Sequence, residues 1–242
     1  MKKTALLFAV ALSGCASLSA PSVRVGTPPP NSPALRLSAP GMASVQARTV
    51  VYQDRWETEA YQLWRGHKAQ AEAIFMQATG IQIALEFPRY RLAKLTQGWR
   101  AVQAGGALHW QPEQHVTLRH RTVFYRRFQL GTSKRACVAF ESDWATAPDD
   151  PDQRPTKAFF GYYCRTDAGQ ALTGAQARRI AQSVHPPTKP PQLASHTGYN
   201  ASALTMARHG VSSRQAAGYP KFPLSFDRHY QVGDGSLESG PS

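Results

Sequence analysis

Two acidic side chains stand two residues apart near the middle of the chain, at Glu141 and Asp143. Alternate residues of a β-strand point to the same face, so this spacing would bring both carboxylates to one side of a strand. A carboxylate pair at a suitable separation can hydrolyse a glycosidic bond. Such acids also lie at solvated strand edges or pair with nearby arginines. The pair therefore raises glycan hydrolysis as one candidate function, with a salt-bridged strand edge as the alternative.

A second group of candidate residues lies in the stretch RHRTVFYRRF, which runs from Arg119 to Phe128. Guanidinium groups interleaved with aromatic rings can bind phosphates and stack on flat ligands. We take Arg119, Arg121, Arg127 and Tyr125 as candidate anion-binding residues. The alternative is a half-exposed strand with its arginines on the solvent side.

Other patterns of catalysis and cofactor binding do not occur in the sequence. It has no H-E-x-x-H zinc motif, no nucleophile elbow, no phosphate-binding loop and no dinucleotide fingerprint. We therefore predict no catalytic residue, no metal site and no cofactor, and we expect a protein that is not an enzyme.

The amino terminus, MKKTALLFAVALSGC, has the pattern of an export signal. Lys2 and Lys3 precede an apolar run over residues 4–12, which suits a signal peptide and is too short to span a bilayer. Leu12-Ser13-Gly14-Cys15 resembles the lipobox of bacterial lipoproteins. The alternative is an ordinary secretory signal that happens to contain a cysteine.

The resemblance to bacterial lipoproteins implies a membrane anchor at Cys15. In that class the thiol receives a diacylglyceryl group, a peptidase cuts before the cysteine, and the new amino terminus is acylated, commonly with palmitate. Several acyl chains hold a protein stably on a membrane, whereas one does not. Ala16, where an aspartate would favour retention, implies the outer membrane of a Gram-negative cell. We expect the protein to face the periplasm, with the cell surface as the alternative.

Export and acylation leave two further cysteines, Cys137 and Cys164. An even number of cysteines in an oxidising compartment predicts a disulfide between them.

The chain is strongly basic, with a formal net charge of +13. Loss of Lys2 and Lys3 with the signal leaves 26 basic against 15 acidic residues, a net charge of +11. Such a surplus favours anionic partners, here lipid headgroups, lipopolysaccharide or acidic polysaccharide. Export argues against nucleic acid as a partner. The alternative is a generally basic surface without a specific ligand.

Composition divides the 242 residues into four parts. Residues 1–14 form the signal peptide, and residues 15–44, rich in Pro, Ser and Ala, predict an extended tether. Residues 45–187 predict a folded domain. Residues 188–242, rich in Gly, Ser and Pro without periodicity, predict a disordered tail.

The pattern within residues 45–187 predicts an α+β fold, a small antiparallel sheet packed against two amphipathic helices. Apolar residues at three- and four-residue spacing predict a helix over residues 55–79, and a capping box at Thr173 and Gln176 predicts another over residues 173–185. Alternation predicts strands over residues 115–130, 135–144 and 157–165.

These expectations together predict a lipid-anchored cell-envelope protein with a scaffold, assembly or accessory-subunit role in an envelope complex. One alternative is a module that binds an anionic envelope polymer, either lipopolysaccharide or peptidoglycan. The other is a cell-wall glycan hydrolase that uses Glu141 and Asp143.

Overall fold

The structure, a computed structural model, describes residues 23–29, 32, 34–39, 41–52, 57–79, 84–85, 92–131, 133–148, 150–167 and 170–199. The described strands are β1 Val23–Thr27, β2 Arg36–Leu37, β3 Ala43–Tyr52, β4 Glu57–Gly66, β5 Ala69–Ala78, β6 Leu108–Leu118, β7 Arg121–Leu130, β8 Ala136–Thr146, β9 Pro155–Arg165, β10 Val184–His185 and β11 Ser195–Tyr199. The described helices are α1 Leu92–Gln97, α2 Arg100–Gln103 and α3 Gly174–Gln182.

One antiparallel sheet of nine strands organises the described residues, in the order β11-β1-β3-β4-β5-β9-β8-β7-β6. Two meanders build its centre, β3-β4-β5 and β6-β7-β8-β9, and they join where β5 pairs with β9. The chain therefore leaves β5 in the middle of the sheet and must cross to the far edge before β6 begins.

The α1–α2 face is our name for the side of the sheet that this crossing covers. Five buried residues of the crossing, Leu85, Leu92, Leu95, Trp99 and Val102, belong to its core cluster. They share that cluster with strand residues that include Tyr61, Ile74, Met76, Phe160 and Tyr162. Trp99 lies at the centre, with its ring centroid 5.4 Å from that of Tyr162 and 5.8 Å from that of Phe160.

The α3 face is the opposite side of the sheet. After β9 the chain turns back through α3, whose Ala177 and Ala181 are fully buried. A two-stranded ribbon of β2 and β10 extends this cover. The core cluster here includes Phe75, Val123, Tyr125, Val138, Phe140 and Phe159. The central strands are therefore buried on both faces.

The predicted α+β fold is wrong, because the segment predicted as a helix over residues 55–79 is the hairpin β4–β5. All of Glu57–Trp64 is buried, with alternate side chains pointing to opposite cores. A strand buried on both sides needs apolar residues at odd and even positions. Because alanine, glutamate and glutamine separate the large apolar residues of this segment, the spacing of those apolar residues resembles that of an amphipathic helix. Tertiary burial therefore overrides the local propensity, and the fold is mostly β.

The single strand predicted over residues 115–130 is also wrong. Arg119 and His120 form a two-residue turn, and Val116 pairs with Val123 across the resulting β6–β7 hairpin. This turn lacks the Asn-Gly or Asp-Gly pair that most strongly signals a hairpin. The predicted strands over 135–144 and 157–165 are confirmed as β8 and β9 within two residues at each end.

The predicted capping box is confirmed at the start of α3. Thr173 Oγ1 accepts a hydrogen bond from the Gln176 backbone N–H, and the Gln176 side chain accepts one from the Thr173 N–H. The sequence therefore placed this helix start correctly, because capping depends on neighbouring residues alone.

The sheet extends beyond the predicted domain of residues 45–187. Its strand β1 lies inside the predicted tether, as does β2 of the ribbon, and β11, which pairs with β1, lies inside the predicted tail. The predicted signal peptide, the lipobox and Cys15 lie outside the described residues, as do residues 200–242.

Candidate functional site

Two of the three arginines predicted to bind an anion, Arg121 and Arg127, donate hydrogen bonds within the protein. Arg121 donates from Nη2 to the Val184 carbonyl at 2.8 Å, just after α3 ends. Arg127 donates from Nη1 to the Leu172 carbonyl at 2.9 Å, just before the N-cap of α3. Each guanidinium thus holds one end of the helical segment on the sheet.

The surroundings of Arg121 fit this structural role. Its guanidinium lies 5.4 Å from the ring centroids of both Trp144 and Phe159. Burial lowers the pKa of Arg121 from its usual value. Tyr125 lies in the core of the α3 face, and Arg119 lies in the β6–β7 turn. The four predicted residues therefore do not form one open anion site.

The predicted acidic pair lies on strand β8, on the α1–α2 face. Glu141 is 4% exposed and pairs in register with Phe124 on one side and Phe160 on the other. Burial raises its pKa to about 8, with further contributions from the charges of Glu113 and Asp143. Burial therefore favours the neutral carboxylic acid form of Glu141. A carboxyl this deeply buried offers a glycan no approach, so the geometry does not favour hydrolysis.

A second buried carboxylate on the same face is held by tyrosines. Tyr61 donates its hydroxyl to Glu72 Oε2 at 2.8 Å, and Tyr162 donates to Glu72 Oε1. The Gln70 side-chain amide also donates to Oε1, at 3.2 Å. Burial, followed by the nearby Glu72 carboxylate, raises the pKa of both tyrosine hydroxyls, so both stay protonated donors. These donors therefore supply hydrogen bonds to the buried carboxylate of Glu72.

The predicted disulfide between Cys137 and Cys164 is confirmed. The two cysteines pair directly across two neighbouring inner strands, one residue from the start of β8 and one from the end of β9. The bond therefore ties two neighbouring strands whose cysteines are 27 residues apart in the chain.

The sequence did not predict a large cleft on the α3 side of the molecule. Its volume is about 780 Å³. Three segments form its walls: the loop after β2, the turn between β4 and β5, and one stripe of α3 with the end of β9. The lining residues are Ser38, Ala39, Gly41, Met42, Gly66, His67, Lys68, Ala69, Tyr163, Arg165, Leu172, Gln176, Arg179, Ile180 and Ser183.

The charged residues that line this cleft are all basic. Lys68, Arg165 and Arg179 contribute three cations, and His67 adds a group that can be protonated. Arg165 is held by Asp167 through two hydrogen bonds of 2.9 and 2.7 Å. Tyr163 contributes a hydroxyl whose pKa is raised by burial, so it remains a donor. We call this feature the basic cleft.

The basic cleft could not be found by spacing, because its cations come from separate parts of the chain. Lys68 lies in a hairpin turn that the pattern assigned to a helix. Only the α3 wall had a signal in the sequence. Gln176, Arg179, Ile180 and Ser183 recur at helical spacing after the capping box, which predicts that they share one side of the helix.

No group of three or more His, Cys, Asp or Glu side chains that could hold a metal occurs among the described residues. Within the same ranges, no helix has the length and apolar character needed to cross a membrane.

Comparisons with protein families, with curated proteins and with solved structures find no match to this chain.

Proposed function

We propose that the chain is a lipid-anchored cell-envelope protein with a non-enzymatic scaffold, assembly or accessory-subunit role. The observation that carries the proposal is the disulfide between Cys137 and Cys164, which joins the neighbouring strands β8 and β9. Such bonds persist in exported proteins and are rare in the reducing cytosol. The disulfide therefore supports the export signal and the lipobox at Leu12-Ser13-Gly14-Cys15.

The architecture supports a scaffold more than a catalyst. Helical segments and a ribbon cover both faces of the central strands. The acidic pair predicted for hydrolysis lies inside this packing, where Glu141 is almost wholly buried. Among the described residues, the basic cleft is therefore the surface that we propose a partner or ligand can reach.

The first experiment measures the mass of the mature amino-terminal peptide, together with membrane fractionation. We expect an acylated peptide that begins at Cys15, recovered with the outer membrane, and a Cys15→Ser variant released from that fraction. A plain cleaved terminus in the soluble periplasm would contradict the anchor. Crosslinking in intact cells then identifies the partner complex.

A second candidate function is binding of an anionic envelope polymer, favoured by the basic cleft and by the net charge of +11 that follows removal of Lys2 and Lys3. We expect retention on purified lipopolysaccharide or peptidoglycan that weakens with salt. Since Arg121 and Arg127 hold α3, their substitution would report on folding. Variants of the cleft cations are the better test, and absence of retention at low salt would remove this function.

A further inference from the structure

We infer that the basic cleft is a binding site for a phosphate group carried on a partly apolar molecule. This inference rests on the second candidate function, binding of an anionic envelope molecule, and names the site and the ligand chemistry.

The size of the cleft suits a small ligand or a headgroup. Ligand sites in proteins occupy about 300–1,000 Å³ and combine apolar walls with a few convergent polar groups. The cleft, at about 780 Å³, lies within this range. Met42, Leu172 and Ile180 supply apolar surface, and Ser38 and Tyr163 supply hydroxyl groups.

The charge of the cleft suits a phosphate. Three cations line it, and Asp167 offsets one of them by its ion pair with Arg165. The remaining charge is therefore close to +2, from Lys68 and Arg179. A phosphate monoester carries a charge of about −1.5 to −2 at pH 7, so it matches this surplus where a single carboxylate does not.

The two cations are available to a ligand. Both Lys68 and Arg179 are exposed, and they stand on different walls, the β4–β5 turn and α3. Lysine binds phosphate as a point charge, and arginine binds it through two parallel N–H donors. Both cations are therefore expected to contribute to phosphate binding in the cleft.

The test titrates the full chain with phosphate probes by calorimetry at low salt. A Cys15→Ser background keeps the chain free of detergent, and it makes the result independent of the anchor. The probes are glycerol 3-phosphate, a soluble phosphate, and dihexanoyl phosphatidic acid, a lipid phosphate. Polygalacturonate, which carries only carboxylates, is the competing anion.

The structure offers matched control variants for each cation. Arg178 adjoins Arg179 on α3 but does not line the cleft, and Lys94 is an exposed lysine on α1. Lys68→Glu and Arg179→Glu are each expected to weaken phosphate binding by about tenfold or more, as loss of a hydrogen bond to a charged group does. Arg178→Glu and Lys94→Glu are expected to change it less than about twofold, because screened surface charges contribute little.

If a reversed charge disturbs the fold, Lys68→Gln and Arg179→Gln remove the cations without adding acids, and thermal unfolding verifies the fold of every variant. Tighter binding of phosphatidic acid supports a phosphate on a partly apolar molecule, whereas equal binding of the two probes would overturn the apolar part of the inference. Equal losses in Arg178→Glu and Arg179→Glu would overturn the site. Binding of polygalacturonate without phosphate binding would overturn the inference and leave the second function standing, whereas binding of no anion would overturn both.

Discussion

The two faces of the central sheet bury different polar side chains. All four buried glutamates of the described core, Glu57, Glu59, Glu72 and Glu141, lie on the α1–α2 face. The α3 face instead takes two half-buried guanidinium groups, Arg121 and Arg127, which donate to backbone carbonyls. A chain with a strong basic surplus thus places its buried acids together on one face.

The contrast shows two ways of fastening a cover onto a sheet. On the α1–α2 face one buried polar group bonds to other strand side chains beneath the cover, as Glu72 does with Tyr61 and Tyr162. On the α3 face the polar groups bond to the cover itself, at both ends of α3. We therefore expect substitutions on the first face to weaken the sheet, and substitutions of the arginines to loosen α3 alone.

The largest effect is expected from removing the disulfide, which belongs to the α1–α2 face. Replacing both Cys137 and Cys164 with alanine should lower the free energy of unfolding by about 3–4 kcal/mol, because the unfolded chain gains freedom. Urea unfolding of the variant and the oxidised parent measures this loss. A change below about 1 kcal/mol would show that the central strands hold without the covalent tie.

Substitution of Glu72 tests the hydrogen-bond network that it forms with Tyr61 and Tyr162. Glu72→Ala should lower the free energy of unfolding by about 2–4 kcal/mol, because it leaves two buried hydroxyl groups without their acceptor. Urea unfolding again provides the measurement. The control combines Glu72→Leu with Tyr61→Phe and Tyr162→Phe, which removes the two hydroxyl donors and should recover part of the loss. If Glu72→Ala alone is neutral, the network does not contribute to stability.

The pH dependence of stability tests the environment of Glu141. Its pKa is raised from an ordinary value of 4.5 to about 8 in the folded protein. Between these values the folded state binds one more proton than the unfolded state, so stability should fall as the pH rises. The fall is at most about 1.4 kcal/mol per pH unit, and it is complete above pH 8.

Urea unfolding at several pH values should therefore give a steeper decline for the parent than for Glu141→Gln, which cannot ionise. Identical profiles for the two proteins would mean that Glu141 is ionised in the folded state at little cost.

The smallest effects are expected from the arginines on the α3 face. Arg127→Ala and Arg121→Ala should each destabilise the packing of α3 on the sheet by about 1–2 kcal/mol, because each removes one hydrogen bond from a charged donor. Hydrogen exchange should accelerate at the amides of α3 while the strand amides keep their protection. Arg119→Ala, in the β6–β7 turn, is the control and should change little. If hydrogen exchange accelerates equally at the strand amides, the arginines stabilise the whole sheet and do not hold α3 alone.

Local patterns predicted the features that depend on neighbouring residues. The capping box at Thr173 gave the start of α3, and alternation gave β8 and β9. The disulfide between Cys137 and Cys164 was also predictable, because export and acylation of Cys15 leave only these two cysteines to pair. The helix predicted over residues 55–79 failed because Glu57–Trp64 is buried on both sides, which a sequence period cannot distinguish from a helix face.

The candidate site was less accessible to prediction than the fold. The arginine-rich stretch RHRTVFYRRF was visible, but the direction of each guanidinium depends on where α3 packs. Lys68 and Arg179 carry no joint signal, since a hairpin turn and a helix bring them to one cleft.

The sequence by itself determined the pairing of Cys137 with Cys164, the capped start of α3 and the central strands β8 and β9, because each depends on residue identity or on immediate neighbours. Only the tertiary structure decided that residues 57–78 form a hairpin, that Arg121 and Arg127 hold a helix, and that the cleft is basic. These outcomes depend on which face of the sheet receives each cover, and burial on that scale joins residues that are far apart in the chain.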